Sequence, residues 1–152
     1  MLVRTLLESK PRDLITTAPD TSVEKAMDLL ITHNIGCLPV VETGGKLVGI
    51  ISDKDIFRKI HETKGKYHEL AVRDLMTTDL IVGLPDDDIE YIAGVMDNNW
   101  IRHIPVVEGD RLTGLVSIGD VNRVRTSRHE IENRYLKLYM SGLGTRDHSS
   151  DG

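Results

Sequence analysis

Leu38-Pro39-Val40-Val41-Glu42, followed by Gly49-Ile50-Ile51-Ser52-Asp53-Lys54-Asp55, is a passage that this chain of 152 residues carries twice. Ile104-Pro105-Val106-Val107-Glu108 repeats the first part 66 residues on, and Gly114-Leu115-Val116-Ser117-Ile118-Gly119-Asp120 repeats the second after 65. Residues 19–42 set against 85–108, with 47–55 set against 112–120, share 12 identities in 33 positions. Such a duplication outranks local signals, because each copy is one supersecondary unit that needs its neighbour to bury a core.

Working outward, Cys37–Val41 and Leu47–Ser52 are β-branched runs joined through Thr43-Gly44-Gly45, a hairpin signal. Ile104–Val107 and Leu112–Ser117 repeat it across Glu108-Gly109-Asp110. Upstream of each hairpin, Val23, Ala26, Met27 and Leu30, then Ile89, Ile92, Ala93 and Met96, carry the 3-4-3 spacing of an amphipathic helix. Thr21 with Glu24, and Asp87 with Glu90, have the spacing of capping boxes. Short extended runs ending at Pro19 and Pro85 precede those helices. A further helix opens at Asp53 or its neighbour and continues through Ile56, Phe57 and Ile60.

The spacing therefore predicts an α/β (α+β) fold: two pseudo-symmetric β-α-β-β-α repeats packed sheet to sheet, with an extra N-terminal helix and a long C-terminal one. We divide the chain into residues 1–62 (first repeat with the N-terminal helix), 63–70 (linker), 71–126 (second repeat), 127–143 (helical extension) and 144–152 (disordered tail). The extension should pack on a partner copy or clamp its own chain.

Composition bounds the function. Aromatics make up 4% and net charge is −5, which argues against a nucleic-acid partner or an anionic membrane surface, since both want a basic face. No apolar run approaches the ~20 residues of a spanning helix, and the single cysteine, Cys37, fits a reducing compartment. We expect a cytoplasmic protein without a membrane partner. No Cys/His/Asp set has metal-ligand spacing, and no nucleophile-and-base set, GxGxxG or GxxxxGK[ST] occurs. An enzyme is not expected, nor a catalytic cofactor.

Chemistry concentrates at Ser52-x-x-Asp55 and Ser117-x-x-Asp120. Each follows a strand and opens a helix, where unpaired N–H groups attract anions. A carboxylate one turn along can accept two hydrogen bonds from a vicinal diol such as a ribose. The same pattern is also an ordinary helix cap; its duplication at equivalent places favours the site.

Pro19-Asp20, Leu38-Pro39-Val40-Val41, Gly49-Ile50-Ile51-Ser52-x-x-Asp55 and their second copies resemble the tandem cystathionine-β-synthase (CBS) domain pair, or Bateman module, of the stand-alone bacterial type. The resemblance covers roughly residues 10–125. It implies two pseudo-symmetric clefts that bind an adenine nucleotide, AMP foremost, with ATP, ADP, S-adenosylmethionine or NAD(H) as others. It assigns Asp55 and Asp120 to ribose, and Ser52 and Ser117 to phosphate or ribose. It marks Ile15, Thr16, Thr17, Pro19, Gly36, Cys37, Leu38 and Pro39, with Ile81, Val82, Gly83, Ile104 and Pro105, for the adenine pocket. Arg102 and His103 precede Ile104-Pro105 where the first copy has only Gly36 and Cys37, so the clefts should be unequal, with the phosphate gripped beside Asp55. Lys54, Arg58 and Lys10 are further phosphate candidates. The module would sense an adenylate, homodimerise through its helices, including the C-terminal one, and signal to an effector protein. The competing expectation is a constitutive dimerisation scaffold with vestigial clefts.

Overall fold

A computed structural model describes residues 1–11 and 13–126, and the expected extension 127–143 and tail 144–152 lie outside the described residues. The chain divides into a unit spanning Met1–Ile118 and another that begins at Gly119.

In order come α1 (Val3–Ser9), α2 (Val23–His33), β1 (Cys37–Val41), β2 (Leu47–Ser52), α3 (Asp53–Glu62), α4 (Val72–Leu75), α5 (Ile89–Asn99), β3 (His103–Glu108), β4 (Arg111–Ser117) and α6 (Ile118–Thr126). Both hairpins are antiparallel, and the duplication extends to their irregularities. β1–β2 slips register between Val40 and Val41, and β3–β4 slips between the aligned Val106 and Val107. The second hairpin turns tightly at Gly109, whose φ of 66° suits glycine. At one end the hairpins join, Leu47 N–H donating to Asp110 O and Leu112 N–H to Gly45 O, both at 3.0 Å.

The expected third strand of each repeat shrinks to a single parallel bridge, Thr17 beside Val40 and Gly83 beside Val106. Thr17 N–H donates to Pro39 O at 3.0 Å and Val41 N–H to Thr17 O at 2.9 Å. Pro19 and Pro85, two residues on, have no N–H with which to continue the ladder. Ala18 N–H donates to Thr21 Oγ1 at 3.3 Å, and Leu84 N–H, at the equivalent place, to Asp87 Oδ2 at 2.8 Å. Those bonds also displace the expected helix caps. Thr21 and Asp87 close the turn after the proline, so Ser22 caps α2 by accepting from Lys25 N–H, and Asp88 caps α5 by accepting from Glu90 N–H.

The first repeat's core holds Val23, Ala26, Leu30, Leu38, Val40, Ile51, Ile56 and Val72, the last from α4. Here lies a relation the 66-residue offset hides. Val3-Arg4-Thr5-Leu6-Leu7 is echoed by Val72-Arg73-Asp74-Leu75-Met76. Each short helix docks on the other repeat: α4 on the first, α1 on the second. Val72 N–H donates to Thr21 O and Arg73 N–H to Pro19 O; Val3 N–H donates to Asp87 O and Arg4 N–H to Pro85 O. The approach needs glycine on the sheet. A Cβ on Gly49 would lie 2.7 Å from Met76 Sδ, and one on Gly114 2.6 Å from Leu7 Cδ1.

Candidate functional site

The first corner forms where β2 runs into α3. Ser52 is the cap residue. Its Oγ accepts from Asp55 N–H at 3.1 Å, while Asp55 Oδ2 accepts from Ser52 N–H at 2.9 Å. This reciprocal box satisfies two orphan donors and sets a carboxylate at the positive end of the helix. Both side chains are half-buried. Asp55 borders a hollow of about 190 Å³ lined also by Arg58, Lys59, Glu62, Asp74 and Leu75. Lys59 pairs with Glu62 at 3.5 Å, and Lys54 and Arg58 are exposed.

The second corner differs. Ser117 is half-buried at the end of β4. Asp120 is only 2% exposed and is ion-paired with Arg123 one turn along. Asp55 has one oxygen engaged by a backbone N–H, Asp120 one by a guanidinium within its own helix. The two acids aligned by the duplication thus occupy unlike environments.

The residues before the two Pro-Val-Val segments are tied in the same way to the helices that follow. Asp53 N–H donates to Gly36 O at 2.9 Å, and Ile118 N–H donates to Arg102 O at 2.8 Å. Gly36, without a side chain, leaves space that the other repeat approaches. A Cβ there would lie 3.6 Å from Asp53 Oδ2 and 3.7 Å from His103 Cε1. His103 is thereby brought to the first repeat, beside a carboxylate sequence reasoning did not select. Arg102 is exposed. Lys10 Nζ donates to Leu115 O at 2.8 Å, so this half-buried cation reaches across to β4. The Cys37 thiol is pushed up to about 12, chiefly by burial, with Asp53 and Asp55 adding and Lys10 opposing. It stays protonated at neutral pH and is a poor nucleophile.

Of the expected adenine walls, Ile15, Thr16, Pro19 and Gly36 are half-buried, and Ile81 and Val82 are exposed. Leu38 and Ile104 have no exposed surface, and Cys37, Pro39, Pro105 and Gly83 are buried. Leu38 belongs to the core, so it can shape a cleft only through the residues that cover it. Thr17 is buried too, and its Oγ1 has no hydrogen-bond partner. Among the described residues no group of three or more His, Cys, Asp or Glu could hold a metal ion, and no helix is long and apolar enough to cross a membrane. Sequence reasoning missed Asp53 and Arg123. The signal for Arg123 was the i, i+3 spacing from Asp120; Asp53 gave none, since its counterpart is Ile118.

A family model described as CBS domain matches residues 10–62 and again 72–126. The chain is 36% identical over 127 residues to the CBS domain-containing protein CBSX3, mitochondrial, of Arabidopsis thaliana, covering 81% of this chain and 62% of that one. It thus spans somewhat under two thirds of that relative's length. Among solved structures it resembles the CBS domain pair of protein MJ0100 in complex with 5′-methylthioadenosine and S-adenosyl-L-methionine, with TM-score 0.73, 34% identity, and coverage of 84% and 98% of the two chains. It also resembles CBSX2 in complex with AMP, with TM-score 0.71, 28% identity, and coverage of 84% and 98%.

Proposed function

The chain belongs to the CBS domain family, and from that premise we propose that it is a regulatory module, not a catalyst, that binds an adenine nucleotide. AMP is the foremost ligand and ATP or NAD(H) the alternatives. The observation that carries the reading is the half-buried Asp55 carboxylate at the start of α3, held in a capping box with Ser52 at the positive end of the helix. In this reading Asp55 accepts from the ribose, Arg102 and His103 attract the phosphate, and Ile15 and Thr16 wall the base. The second corner, with Asp120 tied to Arg123, takes a ligand more weakly. Relatives solved with AMP or with methylthioadenosine and S-adenosylmethionine support the ligand class.

The ligand would act by its differential affinity for two arrangements of the module. Homodimerisation and an effector protein, in the cytoplasm, complete the proposal. A thermal-shift panel of AMP, ATP, NADH and S-adenosylmethionine tests it. A true ligand at a hundredfold excess over Kd stabilises by ~2.7 kcal/mol. If none of the four moves the melting curve, the chain is a scaffold.

A further inference from the structure

We infer that Trp100 is a specificity residue of the first corner, its indole stacking on a second flat ring carried beyond the phosphate, so that a dinucleotide gains a contact AMP cannot make. The inference rests on the adenylate reading above and adds the residue that tells one adenylate from another. Trp100 is 94% exposed, the most exposed large apolar side chain among the described residues, so its ring packs on almost nothing of its own chain. Its backbone lies in the left-handed region, at φ 55° and ψ 37°, which asparagine and glycine enter readily and tryptophan does not. The duplication supplies an internal control. Asn34 holds the aligned place at φ 51° and ψ 53°. The same turn is closed in both repeats, Ile35 N–H donating to Leu30 O at 3.0 Å and Ile101 N–H to Met96 O at 3.1 Å. The turn therefore needs no aromatic, and packing rewards none. A bulky residue kept in a disfavoured conformation with its side chain in solvent points to a contact with something that is not the fold.

Its place in the chain says what that contact is. Arg102 and His103 follow within three residues, and Trp100 heads the segment that carries these phosphate-attracting groups. His103 Cε1 comes within 3.7 Å of the position a Cβ would take on Gly36, and Asp53 Oδ2 within 3.6 Å of it. Charge narrows the ligand further. Asp53, Asp55 and Lys10 all lie close enough to act on the Cys37 thiol, so the two carboxylates oppose the cations Lys10 and Arg102, and each added phosphate meets more repulsion. In NAD⁺ the second ring is a flat cation that offsets part of the phosphate charge. Over an indole face such a ring gains stacking and cation–π attraction together.

Trp100 is the chain's single tryptophan, so its fluorescence reports this one position. We expect NAD⁺ to quench it saturably and shield it from acrylamide, and AMP to bind without doing either. In calorimetric titrations Trp100→Asn, which installs the residue the first repeat uses in the same turn, should weaken NAD⁺ by roughly five- to hundredfold. AMP should shift by less than about twofold, and Trp100→Phe should keep most of the NAD⁺ affinity. An unchanged NAD⁺ affinity in Trp100→Asn, or equal losses for both ligands, would overturn the stacking and leave the adenylate reading standing. A wild-type chain that binds neither ligand would remove both.

Discussion

Replacing Thr17 with valine should stabilise this protein, although threonine lies in a segment close to the site. Thr17 is 7% exposed, and its Oγ1 is buried without a hydrogen-bond partner. A hydroxyl in that position costs roughly 1–3 kcal/mol of desolvation that nothing returns. Its presence makes sense beside the other repeat. There Gly83 occupies the aligned position, and a Cβ on it would lie 3.1 Å from Ile92 Cδ1 and 3.4 Å from Ile104 Cγ2. The residue aligned with Ile92 is Ala26. The first repeat thus pairs threonine at the strand position with alanine at the helix position, where the second pairs glycine with isoleucine. Valine keeps the volume of threonine and removes the unpaired oxygen, so Thr17→Val should gain about 1 kcal/mol.

In urea the transition midpoint should rise with an unchanged slope, and the melting temperature should rise by ~2–4 °C. The compensation gives a second test. Gly83→Thr alone overpacks, at a cost of about 1–3 kcal/mol, and Ile92→Ala alone leaves a void worth ~2–5 kcal/mol. The double substitution rebuilds the first repeat's arrangement, so the pair should couple favourably by at least ~1 kcal/mol. Additive losses, or a Thr17→Val variant less stable than wild type, would refute the argument.

Other outcomes follow from single contacts. Gly49→Ala should destabilise by about 1–3 kcal/mol in urea titrations, because the new Cβ meets Met76 Sδ at 2.7 Å and the immobile Thr77 carbonyl at 3.1 Å; Gly114→Ala should be rescued in part by Leu7→Ala. Removing the Ser52 cap as Ser52→Ala should cost ~1 kcal/mol, so stability must be measured alongside binding in every variant of that corner. The Cys37 thiol is raised in the folded state to about 12. Its contribution is complete below the ordinary thiol range and is lost as pH rises toward the folded value. Wild type should therefore lose stability relative to Cys37→Ala over that alkaline window, and the native thiol should resist alkylation at neutral pH.

The duplication made most of the fold legible. It located both hairpins, the buried faces of α2 and α5 and the corners at Ser52 and Ser117, because those depend on strand alternation and helical spacing that survive divergence. What stayed hidden depends on competition between bonds. Thr21 and Asp87 had the spacing of caps, yet the N–H groups behind Pro19 and Pro85 claim them and pass the capping role to Ser22 and Asp88. The kinship of α1 and α4 escaped notice because their offset is 69 residues and the shared run is short. At the site, the motif foretold a carboxylate near a helix start in both repeats. The cap at Asp55 was within the pattern's ordinary reading; the pairing of Asp120 with Arg123 was not foretold, since it depends on a residue outside the motif.

Calorimetric titration of AMP into wild type, Asp55→Asn and His103→Ala puts the central claim under the most direct test. Asparagine keeps an oxygen for the cap but loses the charge-assisted bonds to a diol, worth roughly 1.5–3 kcal/mol each. The account predicts binding that weakens at least about tenfold in both variants, with each still folded. Equal affinity across all three proteins would contradict it.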